Sequence, residues 1–262
     1  MPKAARRVRH ELRFRLAKVT SAERITPRMV RVTLHDEDFA RFTSDAYDDH
    51  VKLFIAPPGE QLVMPVPGPN GLDFPEGAVR PEGRDYTPRS FDRERCEVVI
   101  DFVLHGDGPA SSWAAAAKPG DTIGVGGPRG SFVVEGDFDW YLLAGDETAL
   151  PAIGRRIEEL PAGAKIFAYI EIADAAERQT FSTAADLELH WLERAANAPS
   201  LPDALRAARL PPGQGYAFVA GEAAASAAVR ELLISRDIDP DNIKAAGYWR
   251  KGEADFDDGH VH

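Results

Sequence analysis

Cysteine is almost absent from this sequence, with Cys96 as its single representative among 262 residues. One cysteine excludes an intramolecular disulfide and any metal or iron–sulfur centre that needs several thiolates. Long apolar runs are also missing, since no stretch approaches the roughly 20 apolar residues of a membrane-spanning helix. These two absences predict a protein of a reducing compartment that does not insert into a membrane, and we expect a cytoplasmic location.

Positive charge is scarce overall but concentrated at the start of the chain. The net charge is −11, which argues against a nucleic-acid-binding protein. The first 15 residues nevertheless carry six cations, Lys3, Arg6, Arg7, Arg9, Arg13 and Arg15. Because no apolar segment follows them, they do not have the pattern of a secretory signal. We expect a solvated or partly disordered basic arm.

The length and the hydrophobic patterning predict two domains. From residue 14 to about residue 134, short strand-like runs are separated by proline and glycine turns, which favours an antiparallel Greek-key β-barrel. Gly124 and Gly126 resemble a dinucleotide fingerprint, but Arg129 replaces its third glycine and no helical pattern follows. We therefore interpret that run as a barrel strand and place the first domain at residues 1–136.

From about residue 137 the pattern changes to strands that alternate with helices, which indicates a parallel, Rossmann-like α/β domain over residues 137–262. Four strands and three helices are predicted, with each helix lying between two strands. The predicted strands are 140–145, 165–172, 216–221 and 243–249, and the predicted helices are 149–160, 201–210 and 222–236.

Residues 84–89 combine side chains that suit a flavin dinucleotide. The guanidinium groups of Arg84 and Arg89 match phosphate oxygens bidentately. The ring of Tyr86 is suited to lie flat on an isoalloxazine, and the hydroxyl of Thr87 to bond a flavin nitrogen. A solvated loop rich in arginine and tyrosine is the alternative for this hexamer taken alone.

A second feature follows a strand-like run at residues 97–105. Gly108 and Pro109 open a predicted helix, which the alanines at 114–117 continue and residues 119–120 terminate. Such a helix start presents backbone N–H groups and the positive end of the helix dipole to an anion. Together with Arg84 it predicts a two-sided pyrophosphate site, whereas alone it would also fit a short surface helix.

At these motifs the sequence resembles the siderophore-interacting proteins, which are FAD-dependent ferric-siderophore reductases related to ferredoxin reductases. The similar blocks follow one another in the family's order at residues 84–89, 101–106, 108–114, 118–121, 127–131, 144–153 and 247–252. The resemblance implies that FAD is bound by Arg84, Tyr86, Thr87, Arg89, Val103, Leu104, His105, Gly108, Pro109, Ala110, Ser111 and Ser112.

In the second domain, the resemblance places the nicotinamide nucleotide at loops after two strands, and Trp249 near the cofactors. These loops contain Asp146, Glu147, Thr148, Ala149 and Glu222. Two carboxylates at a pyrophosphate site would repel it, so capping of a helix is the alternative role for these acids. The donor is NADH or NADPH. Glu171 and Asp174, at the end of the second α/β strand, favour NADH because an acid there repels a 2′-phosphate.

The resemblance also implies the reaction, in which hydride passes from NAD(P)H to the flavin and electrons pass singly to chelated Fe(III). We expect no catalytic side chain and no protein metal ligand. Since a ferric siderophore is usually anionic, a local basic patch is predicted to bind it, formed by Lys52, Arg250 and Lys251. The alternatives are a flavin reductase that serves another acceptor such as a ferredoxin, and a siderophore- or flavin-binding protein without turnover. A ferredoxin is also a possible electron donor in place of the nicotinamide nucleotide.

Overall fold

The computed structural model describes residues 5–68, 71–106, 108–253 and 256. The chain divides into two compact units, one formed by Arg7–Val133 and the other by the chain from Val134 onward together with the first few residues. We keep 1–136 and 137–262 as the proposed domain limits. Among the helices within the described ranges, none is long and apolar enough to cross a membrane.

The first unit is built from strands and one helix. Its elements are β1 (Ala5–Arg9), β2 (Phe14–Thr26), β3 (Met29–His35), β4 (Val51–Ile55), β5 (Val66–Gly68), β6 (Gly71–Asp73), β7 (Glu82–Tyr86), β8 (Pro88–Asp92), β9 (Glu97–Val103), α1 (Pro109–Ala116), β10 (Thr122–Gly126) and β11 (Gly130–Val134). Seven strands form one antiparallel sheet in the order β7-β4-β10-β2-β3-β9-β8. The sheet is curled into a half-barrel, which confirms the predicted antiparallel class.

Period-two burial explains why these runs form a curled sheet with one inner face. In β3 the side chains of Val30, Val32 and Leu34 are buried, while the residues between them are partly exposed. They join Ile100 of β9 and Ile123 of β10 in a single hydrophobic core. The run at residues 122–126, which the sequence analysis separated from a dinucleotide fingerprint, is indeed a strand of this sheet.

The basic arm is solvated, as Arg6, Arg7 and Arg9 are exposed, but the expectation of partial disorder is wrong from Ala5 onward. β1 pairs with β11 in a two-stranded sheet, and the next residue, His10, donates its backbone N–H to Arg129 O at 2.9 Å. The His10 ring nitrogen Nε2 lies 2.7 Å from Ser131 Oγ, which in turn donates to buried Asp49 at 2.6 Å. Backbone pairing and this buried polar chain therefore order a segment whose composition alone suggested disorder.

The second unit is a parallel sheet with helices. Its elements are β12 (Trp140–Asp146), α2 (Leu150–Glu159), β13 (Lys165–Ile172), β14 (Asp186–Glu193), α3 (Leu201–Ala207), β15 (Gly215–Glu222), α4 (Ala223–Ile234) and β16 (Ile243–Trp249). The strand order is β14-β13-β12-β15-β16, and every neighbouring pair is parallel. This confirms the predicted α/β class, with β14 as a strand that the sequence analysis did not predict.

The strand register brings the carboxyl ends of this sheet to one edge. Asp146 at the end of β12 is level with Glu171 of β13, and Gly145 is level with Ala220 of β15. In open α/β sheets, ligands bind outside the carboxyl ends of the strands. The acidic loop after β12 therefore lies where a nucleotide would approach.

Candidate functional site

The hexamer at residues 84–89 contributes to both edge strands of the half-barrel. Arg84 and Tyr86 belong to β7, Thr87 links the two strands, and Arg89 belongs to β8. The Arg84 guanidinium donates to the carbonyl oxygen of its neighbour Gly83 at 2.8 Å and forms a 2.9 Å ion pair with Glu82. It is half-buried, so part of its donor fork remains at the surface of the sheet edge.

An aromatic row connects the hexamer to the helix start. The Tyr86 ring lies 4.6 Å from that of Phe102 on β9, and Phe102 lies 5.6 Å from Trp113 on α1. Burial raises the pKa of Tyr86 to about 12, although the Arg84 charge acts in the opposite direction. The phenol is therefore a neutral hydrogen-bond donor at physiological pH, and β7 and α1 are held against the same strand.

The helix start has the features of an anion site. Gly108 is the N-cap and has no side chain to bond the first turn, and Pro109 occupies the first helical position. The amides of Ala110 and Ser111 thus have neither an intrahelical acceptor nor a side-chain cap. Ser112 is exposed beside them, so the residues fit the pyrophosphate of FAD.

The residues between β9 and α1 position this helix. Leu104 donates its backbone N–H to Arg28 O at 2.7 Å, and His105 donates its own to the hydroxyl oxygen of Ser111 at 3.0 Å. Val103 is the last residue of β9 and half-buried. The chain therefore turns directly from the sheet into the helix start.

Arg89 has a structural partner that the sequence did not indicate. Its guanidinium lies 4.0 Å from Asp101, a carboxylate that Arg31 also binds with two hydrogen bonds of 2.7 and 2.8 Å. Arg89 and Thr87 are only 9% and 8% exposed. Their contact with FAD stays a prediction, and Arg84 is the more accessible of the two arginines.

Asp146 is the centre of the carboxyl edge of the α/β sheet. One carboxylate oxygen accepts from the backbone N–H and the hydroxyl of Thr148 at 2.8 and 2.5 Å. The other accepts from the backbone N–H of Glu222 at 3.0 Å and from the Trp249 indole at 2.8 Å. Burial raises the pKa of Asp146, while these hydrogen bonds act in the opposite direction. Asp146 thereby ties together the ends of β12, β15 and β16.

Two further predicted nucleotide contacts have internal roles. Glu222 is the N-cap of α4, and its carboxylate accepts from Ala225 N at 2.9 Å. Ala149 is fully buried as the N-cap of α2, which leaves its side chain no surface for a ligand. Glu222 thus has the helix-capping role that was the alternative for the acids of this edge. Trp249 is 39% exposed, so its ring remains accessible to a ligand.

Glu147 pairs with an arginine that the sequence analysis missed. Arg194, one residue beyond β14, donates a hydrogen bond to the Glu147 carboxylate, and its guanidinium lies 3.7 Å from Glu171. Arg194 could not be singled out while β14 was unrecognised. The signal was the apolar alternation Leu187, Leu189, Trp191 within a strongly polar run.

The two acids that favoured NADH already have protein partners. The Glu171 carboxylate accepts from Leu201 N at 3.3 Å and lies beside Arg194. Asp174 accepts from Ala176 N at 2.9 Å and caps a 3₁₀ turn. These bonds compete with a ribose hydroxyl for each carboxylate, which weakens the physical basis of the NADH prediction.

The three predicted substrate cations differ in their surroundings. Lys52 forms an ion pair of 2.9 Å with Asp85, its cross-strand neighbour on β7. Arg250 pairs with Glu253 at 3.1 Å and lies 4.4 Å over the Phe256 ring. Lys251 is exposed and contacts no acidic group in the part of the chain that the structure describes. Across the same described residues, no cluster of three or more His, Cys, Asp or Glu side chains is arranged to hold a metal ion.

Comparison with known proteins identifies the family. A model of the siderophore-interacting FAD-binding domain matches residues 18–132, and a model of the siderophore-interacting protein matches residues 138–252. The chain is also 36% identical to the NADPH-dependent ferric-chelate reductase of Escherichia coli K12 over 251 residues, which cover 95% of this chain and 97% of that protein. The chain belongs to the siderophore-interacting protein family.

Other relatives agree with this assignment. The ferric vibriobactin reductase ViuB of Vibrio cholerae is 33% identical, with 90% of each chain covered. The crystal structure of a siderophore utilization protein from T. fusca is 41% identical and superposes with a TM-score of 0.87 over 96% of this chain and 99% of that one. A ferredoxin reductase of carbazole 1,9a-dioxygenase, at 14% identity and a TM-score of 0.61 over 90% of this chain and 66% of that one, shares the fold alone.

Proposed function

We propose that this chain is an FAD-dependent reductase that uses NADPH to reduce Fe(III) in a ferric siderophore to Fe(II). The observation that carries the proposal is the uncapped N-terminus of α1, a helix that one aromatic row connects to Tyr86 on β7, the strand that also carries Arg84. The names of the Escherichia coli and Vibrio cholerae relatives support a ferric chelate as substrate, and the first of them supports NADPH as donor.

The residues of the first unit would hold the cofactor. The first-turn amides of α1 and the Arg84 guanidinium bind the two phosphates, and the neutral Tyr86 hydroxyl donates a hydrogen bond. FAD, when bound, supplies the conversion of a two-electron donor into one-electron steps.

No side chain needs to ligate iron for the metal to be released. Hydroxamate and catecholate oxygens bind Fe(III) far more tightly than Fe(II), because the higher charge attracts hard oxygen donors more strongly. Reduction therefore weakens the chelate by itself. Release would take place inside the cell, in line with the cytoplasmic location expected from the sequence.

The test is anaerobic turnover of the FAD-loaded protein with NADPH, with and without a ferric siderophore. We expect NADPH consumption that depends on the chelate, and about two Fe(II) ions per NADPH, since one hydride carries two electrons. A colorimetric Fe(II) chelator measures the product. NADPH consumption that requires a ferredoxin and not the ferric chelate would identify a different electron acceptor. Absence of turnover with every donor would indicate a siderophore- or flavin-binding protein without enzymatic activity.

A basic patch after β16 is expected to bind the anionic substrate. Lys251→Ala should raise the apparent KM for an anionic ferric siderophore, and Arg250→Ala less so, because Glu253 already neutralises part of the Arg250 charge. The effect should shrink as salt is added, since exposed charges are screened beyond about 8 Å at physiological ionic strength.

The matched control is Lys165→Ala, which removes an exposed lysine at the amino end of β13, the opposite edge of the same sheet. Flavin content and reduction by dithionite should not change in any of the variants. If Lys251→Ala behaves like the parent at every ionic strength, the substrate binds elsewhere.

A further inference from the structure

At the carboxyl edge of the α/β sheet, part of the usual means of binding a phosphate is already in use. In dinucleotide-binding sheets, backbone N–H groups at strand-to-helix turns bind the pyrophosphate. Here two such groups, those of Thr148 and Glu222, donate to the Asp146 carboxylate instead. A protein anion thus occupies donors that a nucleotide would use, so a phosphate at this edge needs a cation.

Arg194 is a cation of suitable chemistry at this edge. It follows the end of β14, and its guanidinium reaches Glu147 in the loop after β12 and Glu171 at the end of β13. A guanidinium has five N–H donors, and its side chain is 46% exposed. The Arg194 side chain is therefore partly open to solvent and to a ligand.

Arg194 also keeps its charge. Burial lowers the pKa of its guanidinium, but the hydrogen bond and the negative charge of Glu147 outweigh this, so that the pKa is raised. Glu147 is buried in the loop, with 9% of its surface exposed. It holds the guanidinium beside the end of β13, the strand whose end in such folds lies next to the adenosine ribose.

We propose that Arg194 determines the choice of NADPH over NADH by binding the 2′-phosphate of the adenosine ribose, with Glu147 as the residue that positions it. This inference rests on the proposed function, in which NADPH is the donor. A 2′-phosphate forms charge-assisted hydrogen bonds with the guanidinium fork and offsets the repulsion from Glu147 and Glu171. NADH carries no group to form these bonds.

Binding of nucleotide fragments tests the proposal without any turnover. In calorimetry on the FAD-loaded protein, 2′,5′-ADP should bind about ten- to a hundredfold more tightly than 5′-AMP, since hydrogen bonds to charged groups contribute at this level. Arg194→Ala should abolish the difference, and Arg194→Lys, which keeps the charge but loses the fork, should restore part of it. In steady-state kinetics, kcat/KM should fall for NADPH and stay unchanged for NADH.

Arg206→Ala is the matched control, because it removes an exposed arginine that pairs with Asp203 in α3 of the same unit. It should leave the preference for 2′,5′-ADP intact. If Arg194→Ala and Arg194→Lys both keep the full preference, or if the parent protein has none, the inference is overturned. NADPH-driven reduction of the ferric chelate would then still support the proposed function, whereas Arg194-dependent fragment binding without iron reduction would reject that function alone.

Discussion

Replacing Arg84 with alanine is expected to weaken FAD binding about ten- to a hundredfold, because a charge-assisted hydrogen bond contributes roughly 1.5–3 kcal/mol. The fold should persist, since the variant loses a half-exposed ion pair with Glu82, and exposed pairs contribute at most about 1 kcal/mol. Titration of the apoprotein with FAD measures the affinity. Denaturation of the purified parent protein should release FAD and not FMN.

A control variant separates the loss of a phosphate contact at Arg84 from a general loss of positive charge. Arg95→Ala removes an exposed arginine that pairs with Glu97 in the same unit, and FAD affinity should stay at the parental value. Because FMN has no pyrophosphate, Arg84→Ala should weaken FAD more than FMN. Equal losses for both flavins, or an unchanged FAD affinity, would show that Arg84 does not bind the pyrophosphate.

The sequence predicted the chemistry of the flavin unit better than its geometry. It identified the helix start at Gly108 and Pro109, because glycine and proline have position-specific backbone preferences that act locally. It assigned no strand to residues 84–89, whereas all of them except Thr87 belong to the two edge strands of the half-barrel. Edge pairing depends on partners distant in sequence, such as Leu53 opposite Arg84, and no local pattern encodes it.

In the α/β unit, the sequence predicted the buried strands and missed the exposed one. The runs 140–145 of β12 and 215–221 of β15 are apolar or glycine and buried at every position, as expected for parallel strands that are covered on both faces. β14 is an edge strand with charged side chains between its apolar ones, as expected for edges that must resist further pairing. Because β14 was not predicted, the sequence did not place Arg194 at the carboxyl edge of the α/β sheet. The ion pair between Arg194 and Glu147 therefore became visible only in the structure.

The Asp146 network yields the second large expected effect. Gly221 has a φ of 136°, and a Cβ at this position would lie 2.5 Å from the Asp146 carboxylate oxygen. Gly221→Ala should therefore strain the backbone and displace Asp146 from Glu222 and Trp249. We expect the free energy of unfolding to fall by about 2–4 kcal/mol, from strain of roughly 1–3 kcal/mol plus weakened hydrogen bonds to a charged group. Urea unfolding followed by circular dichroism measures this loss.

Gly163→Ala separates strain from collision. Gly163 also has a positive φ, 84°, but a Cβ there would meet no atom within 4 Å, so only the backbone strain remains. Gly221→Ala should cost clearly more than this control. In an Asp146→Ala background the collision partner is gone, and Gly221→Ala should then cost clearly less than it does in the parent protein, because coupling between contacting residues disappears when one partner is removed. An equal cost of Gly221→Ala in both backgrounds would mean that Asp146 is not what excludes a side chain at this turn.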